Sequence, residues 1–214
     1  MKKQPSRTYA TNLSDDELIL LDALYAGSIE FAGLLAENFR EATELDYVHH
    51  FSYEELVQVV DGMVGRGVMD LLRMADDDED EDIRVGLTGA GGGLWEQERE
   101  PDWQRYCVYF MGTEMDLDGN EVWFAEVQSP TFDTAAEFLE VAIESGLFPE
   151  VDLEQMEIQE YVGENLVGWR SFEVVLVLRV PCGAVEEDTP VDWDLYEEKR
   201  TWWTDLMEWG GLQA

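Results

Sequence analysis

The feature that most narrows the choice of fold is a helix-start signal that occurs twice early in the chain. Ser14-Asp15-Asp16-Glu17 and Ser52-Tyr53-Glu54-Glu55 each set a serine three residues ahead of a glutamate. At that spacing the serine hydroxyl accepts one orphan backbone N–H and the glutamate carboxylate reaches back to another. Behind the first signal, Leu18, Leu21, Ala23, Leu24 and Tyr25 keep a roughly helical spacing up to Gly27. Behind the second, Leu56, Val59, Val60, Met63 and Val64 follow the 3.6-residue period, and Gly65 and Gly67 end it. Between the two, residues 28–42 predict a further helix with Phe31, Leu34, Leu35 and Phe39 inward. Val68-Met69-Asp70-Leu71-Leu72 then reads as a short strand, and residues 83–87 as its returning partner. Thr88 is placed to cap a helix reaching about Glu98, with Leu94 and Trp95 inward, before Pro101 closes the segment.

Three helices, a two-stranded wing and a closing helix resemble a winged helix-turn-helix domain over about residues 14–98. Residues 56–67 with Val68-Met69-Asp70-Leu71-Leu72 carry the resemblance. The stretch Ile83-Arg84-Val85-Gly86-Leu87-Thr88-Gly89-Ala90-Gly91-Gly92 adds to it, being similar to the strand, Leu-Thr, small-residue and helix ending of that superfamily. The resemblance implies a third helix that enters the major groove and a wing that meets the DNA backbone. Here the polar positions of that helix are Glu54, Glu55, Gln58 and Asp61, with Arg66 only at its end. The wing tip is an unbroken acidic run, Asp76, Asp77, Asp78, Glu79, Asp80, Glu81 and Asp82. DNA binding is therefore not expected, whereas the use of winged helices as protein-interaction modules is compatible with the charge.

From about residue 101 the periodicity changes. Residues 106–111 and 122–127 are strand-like, with a hairpin signal in Asp116-Leu117-Asp118-Gly119-Asn120-Glu121 between them. A helix capped by Asp133 or Thr134 should run to Ser145. Residues 156–162 and 166–180 follow as a second strand pair around Gly163-Glu164-Asn165. Val174 to Val180 is apolar except for Arg179, as in a central strand. A last helix is expected over about residues 191–209. The order predicts an α+β protein: residues 1–13 a disordered N-terminus, 14–100 winged-helix-like, and 101–214 a small β-β-α-β-β-α domain with a mostly antiparallel sheet.

Charge limits the partners. The chain has 49 Asp and Glu against 13 Lys and Arg, a formal charge of −36. A phosphate binder gains its affinity from Lys and Arg that displace condensed counterions. Between Thr8 and Gly65 the only such residue is Arg40. A surface of this sign attracts cationic partners and speeds their encounter. General solubility, life at high internal salt and an acidic binding face each account for the excess. Eight Trp, eight Tyr and nine Phe predict a real core. With no apolar run behind Met1-Lys2-Lys3 and none long enough to span a bilayer, the expected location is the cytoplasm.

Motifs for chemistry are weak. Asp116-Leu117-Asp118-Gly119-Asn120 has its glycine fourth and Glu121 sixth, unlike a calcium-binding EF-hand loop. His49 and His50 are adjacent and so diverge, which suits neither one metal nor a visible hydrolase triad. The Gly89–Gly93 stretch lacks the Lys-Ser/Thr of a phosphate loop and reads as close packing of helix on strand. Cys107 and Cys182 read as buried reduced thiols. No catalytic, cofactor-binding or metal residue is assigned. The aromatic residues Trp193, Tyr196, Trp202, Trp203 and Trp209 exceed one apolar helix face. They either pack beneath the sheet or anchor a partner within an acidic rim. The expectation is a non-catalytic, acidic protein-binding module for a basic partner, with Asp76–Asp82, Trp202, Trp203 and Trp209 as contacts. It would act as an immunity protein or inhibitor, in one form a DNA mimic. A winged-helix regulator acting through a partner and a carboxylate-based enzyme are the alternatives.

Overall fold

The computed structural model describes residues 13–74, 82–116, 118–184 and 189–213. It is an α+β protein with two antiparallel sheets, and the chain divides into two compact units, Met1–Glu100 and Pro101–Ala214.

In the first unit, α1 (Asp15–Leu24) and α3 (Tyr53–Gly65) both start at a complete capping box. Ser14 N–H donates to Glu17 over 2.8 Å, and Ser52 N–H to Glu55 over 2.9 Å. Residues 28–42 do not form the single helix expected. They give β1 (Ile29–Glu30), a 3-10 turn (Phe31–Leu34) and a short α2 (Phe39–Thr43). Pairing to another strand overrides the local pattern, since Ile29 and Glu30 stand opposite Val85 and Arg84. Gly33 allows the tight return: a Cβ there would lie 2.8 Å from the Ala42 Cβ. β2 (Met69–Met74) and β3 (Asp82–Leu87) form the expected hairpin, and the sheet order is β1-β3-β2. Thr88 caps α4 (Gly89–Arg99) by accepting the Gly91 N–H over 3.0 Å. Gly91 presses α4 onto the Val68 backbone so closely that a Cβ would meet the Val68 carbonyl at 2.0 Å. The glycine stretch thus has the packing role read from the sequence.

One buried carboxylate ties this unit together. Asp22 of α1, 1 % exposed, accepts from Trp95 Nε1 (2.9 Å) and Arg99 Nε (2.9 Å) of α4, from Arg99 Nη2 (2.5 Å) and from the Tyr47 hydroxyl (3.1 Å). The hydrogen bonds to Asp22 hold the Arg99 guanidinium above its ordinary pKa. Burial and the neighbouring Asp22 charge push the Tyr47 phenol up as well.

In the second unit, β4 (Val108–Met115), β5 (Glu121–Ser129), β6 (Glu157–Val162) and β7 (Val174–Cys182) form a sheet of order β4-β5-β7-β6. β7 is an inner strand, as its apolar run suggests. α5 (Phe132–Glu144) lies on one face, capped by Thr131 rather than by Asp133 or Thr134. Phe138 is its central core residue, in ring contact with Tyr109, Phe148, Tyr196 and Trp202. Residues 166–173 leave the strand expected there, because Phe172 turns in to pack on Trp103 and Tyr106.

The expected C-terminal helix is two helices, α6 (Trp193–Lys199) and α7 (Leu206–Gln213), with non-helical chain between. Within that break Trp203 bridges to Tyr106, so neighbouring side chains diverge as they do in a strand. Trp202 enters the core around Phe138. Trp203 enters a separate aromatic cluster with Trp103 and Tyr106.

Candidate protein-interaction surfaces

Under the winged-helix resemblance α3 is the helix that would face a partner. Leu56, Val60 and Met63 face the core, which turns Glu54, Gln58 and Asp61 to solvent with Tyr53 and Val57 beside them. Arg66, the cation at its end, is engaged by Glu17 at 3.1 Å and by the Gly62 carbonyl. The outward surface of this helix is negative. Of the acidic run, Asp76 to Glu81 lie outside the described residues. Asp82 opens β3, its backbone opposite Met74.

In the second unit every lysine and arginine has a partner inside the unit. Arg105 pairs with Glu137 (2.8 Å) and Arg179 with Glu114 (2.6 Å). Lys199 pairs with Glu144, and Arg200 with Glu208 (3.0 Å) and Glu197 (3.4 Å). Arg170 lies 4.8 Å from the ring centroids of both Trp103 and Phe172. Arg179 also stacks 3.7 Å over Phe124. The hydrogen bond from Thr201, with Arg105 in support, holds Glu137 below the usual carboxylate range. Within the second unit the positive charge is thus engaged internally, and the remaining carboxylates set the sign of that unit's surface.

The aromatic anchors expected at Trp202, Trp203 and Trp209 do not stand on the surface. Trp202 and Trp203 have no exposed area, and Trp209 has 7 %. Trp203 also donates its indole N–H to the Asp102 carbonyl over 2.8 Å. An anchor must offer area to a partner, and these residues have given theirs to the core. Trp193, by contrast, is exposed.

The polar motifs take structural roles. His49 is buried with Nε2 2.7 Å from the Leu34 carbonyl, so that nitrogen donates, and Nδ1 accepts the Phe51 N–H. Both ring nitrogens are occupied. His50 contacts Asp16 at 2.9 Å on the surface, and that contact lowers the Asp16 pKa. Asp116 accepts the Asp118 and Asn120 N–H groups and the Asn120 side-chain amide, which keeps its pKa low and commits it to the hairpin turn. Burial pushes both cysteine thiols up, against reactivity at neutral pH. No group of His, Cys, Asp and Glu suited to a metal occurs among the described residues. Among them, too, no helix is long and apolar enough to cross a membrane.

Described residues of the second unit line two concave regions. One, of about 410 Å³, is an apolar cleft beside α5. The other, of about 250 Å³, is polar, lies on the opposite sheet face and includes Glu126, Gln128 and Tyr161. Sequence reasoning named neither, because their residues come from separate elements.

Comparison with family models, with curated proteins and with solved structures gave no match to this chain.

Proposed function

We propose that this chain is a non-catalytic, acidic protein-binding module whose partner is a basic protein. The observation that carries the reading is the internal pairing of the second unit's cations. Arg105, Arg179, Lys199 and Arg200 each face a carboxylate of the same unit, and Arg170 faces two aromatic rings. With those charges occupied, the unbalanced carboxylates form a field that favours a cationic surface and disfavours phosphate. An immunity protein against a cationic toxin, or an inhibitor that occupies the nucleic-acid site of a basic protein, is the concrete form.

A winged-helix identity of the first unit is the second reading, and the order α1-β1-α2-α3-β2-β3 supports it. Under it the unit would serve as an adaptor, since α3 presents Glu54 and Asp61 outward. Binding of random-sequence DNA in a low-salt gel shift would overturn the acidic-adaptor form and favour a direct regulator.

Capture from a lysate of the native host tests the main reading. Basic proteins should be retained at about 50 mM salt and released at about 500 mM, where the Debye length shrinks several-fold. Recovery of only neutral or acidic proteins at low salt overturns it.

A further inference from the structure

In the second unit, α5 and the core around it cover only part of the sheet's helix-side face. The cleft beside α5 is walled by Ala136, Leu139 and Ile143, bounded opposite by Leu153 and Met156, and floored by Leu178. Strand register extends it. Ile158 stands opposite Leu178, and Val162 opposite Val174, so both share the face of the floor. Ile158 is 51 % exposed and Val162 81 %, while Phe132 at the start of α5 and Leu153 across the cleft are 45 % and 55 % exposed. These side chains flank one strip over β7 and the edge strand β6. On α5 the lining runs from Phe132 to Glu144, which at 1.5 Å per residue is about 18 Å, just over three helical turns.

Charge decides the occupant. Glu140 and Glu144 line the cleft from α5, and Glu160, opposite Leu176, lies on the same sheet face as Ile158. Glu144 holds Lys199, but Glu140 has no ion pair among the described residues. A second copy would bring the same carboxylates against this rim, which a chain of −36 charge disfavours. An anionic membrane surface would be repelled likewise. We infer that the cleft beside α5 is the docking groove for an amphipathic helix of the partner, its apolar face on Ala136, Ile143, Leu178 and Ile158 and its flanking Lys or Arg against Glu140 and Glu160. This deepens the basic-partner reading and rests on it. The mode is that of a helix laid in a groove, read through anchors at i, i+4 and i+7.

Two labelled peptides of about 14 residues, enough for three to four turns, test it on the full-length protein. One sets Leu at i, i+4, i+7 and i+11 with Lys on the flanks. The other has the same composition, shuffled so that no apolar face forms. Fluorescence polarisation at low salt should show the first binding at least tenfold more tightly. Ala136→Arg, which fills the cleft with bulk and like charge, should weaken it by about tenfold or more. Ile158→Ser, at an exposed strand position that folding tolerates, should weaken it by about three- to fivefold from lost apolar burial. Amide shifts in the NMR spectrum should concentrate on α5, β6 and residues 153–156. Equal binding of both peptides, unaffected by either variant, overturns the groove and leaves the basic-partner reading standing. Failure of both peptides to bind likewise overturns the groove and leaves the basic-partner reading to the lysate capture. An apolar dye displaced by Ala136→Arg while peptide binding is unchanged makes the cleft a small-ligand site and also overturns the inference. Matched far-UV circular dichroism of each variant shows that binding, not folding, was lost.

Discussion

Replacing Asp22 by Asn tests whether the first unit is held together at its buried carboxylate. Four hydrogen bonds converge on that side chain, from Trp95, Tyr47 and twice from Arg99. An asparagine keeps the shape and one acceptor, but turns an NH2 group toward donors and leaves the guanidinium without its counter-charge. Breaking a buried pair from one side costs about 3–5 kcal/mol. Arg99 keeps 35 % of its side chain in water, so solvent recovers part of that, and about 3 kcal/mol is the expected loss. For a unit of this size each kcal/mol moves the midpoint by about 4–8 °C, so the first unit should melt at least about 12 °C lower. Hydrogen exchange across α1 and α4, measured on the full chain in a urea series, reads this unit apart from the other. Tyr47→Phe, which removes one neutral donor, should lose about 1 kcal/mol. Asp22→Leu combined with Arg99→Met should recover only part of the deficit, because the apolar pair needs no counter-charge but removes the acceptor of the Trp95 indole N–H and the Tyr47 hydroxyl. A loss below about 1 kcal/mol for Asp22→Asn would refute the account, since a buried, fourfold-bonded carboxylate could not then be a principal tie.

Three further outcomes are expected. Acrylamide should quench only the part of the indole emission that comes from exposed Trp193 and half-buried Trp103, Trp123 and Trp169, and Trp202→Phe should leave that quenchable part intact; its clear loss in Trp202→Phe would restore the surface-anchor view of Trp202. Glu137 has a folded pKa below its ordinary 4.5, so its bonds to Thr201 and Arg105 contribute fully above that pH and fade as pH falls through the lower folded value. The stability gap between wild type and Glu137→Gln, followed by urea titration, should therefore be constant above pH 4.5 and close below it; a gap independent of pH would contradict the assignment. Raising salt from low to moderate strength should raise the melting temperature by screening repulsion among the unpaired carboxylates, and a falling midpoint would show that attractive pairs dominate instead.

The sequence by itself determined what depends on neighbours along the chain. Ser14 and Ser52 mark their helix starts because a capping box closes over four residues. Asp116 and Gly119 mark a turn for the same local reason, and the apolar run of β7 identifies an inner strand. The sign of the surface also follows from counting, as does the acidic outward face of α3. What only the tertiary structure decided depends on residues far apart. Ile29 and Glu30 became a strand because β3 offered an edge, against a helical local pattern. The local pattern puts Trp202 and Trp203 on one helix over about residues 191–209, yet the chain extends there and sends the two rings into different cores. The cleft beside α5 was not legible at all, because Ala136, Leu153, Leu178 and Ile158 become neighbours only when strand register and helix placement are set. Local hydrogen bonds are written in short spacings, whereas burial and grooves arise from which distant segments meet.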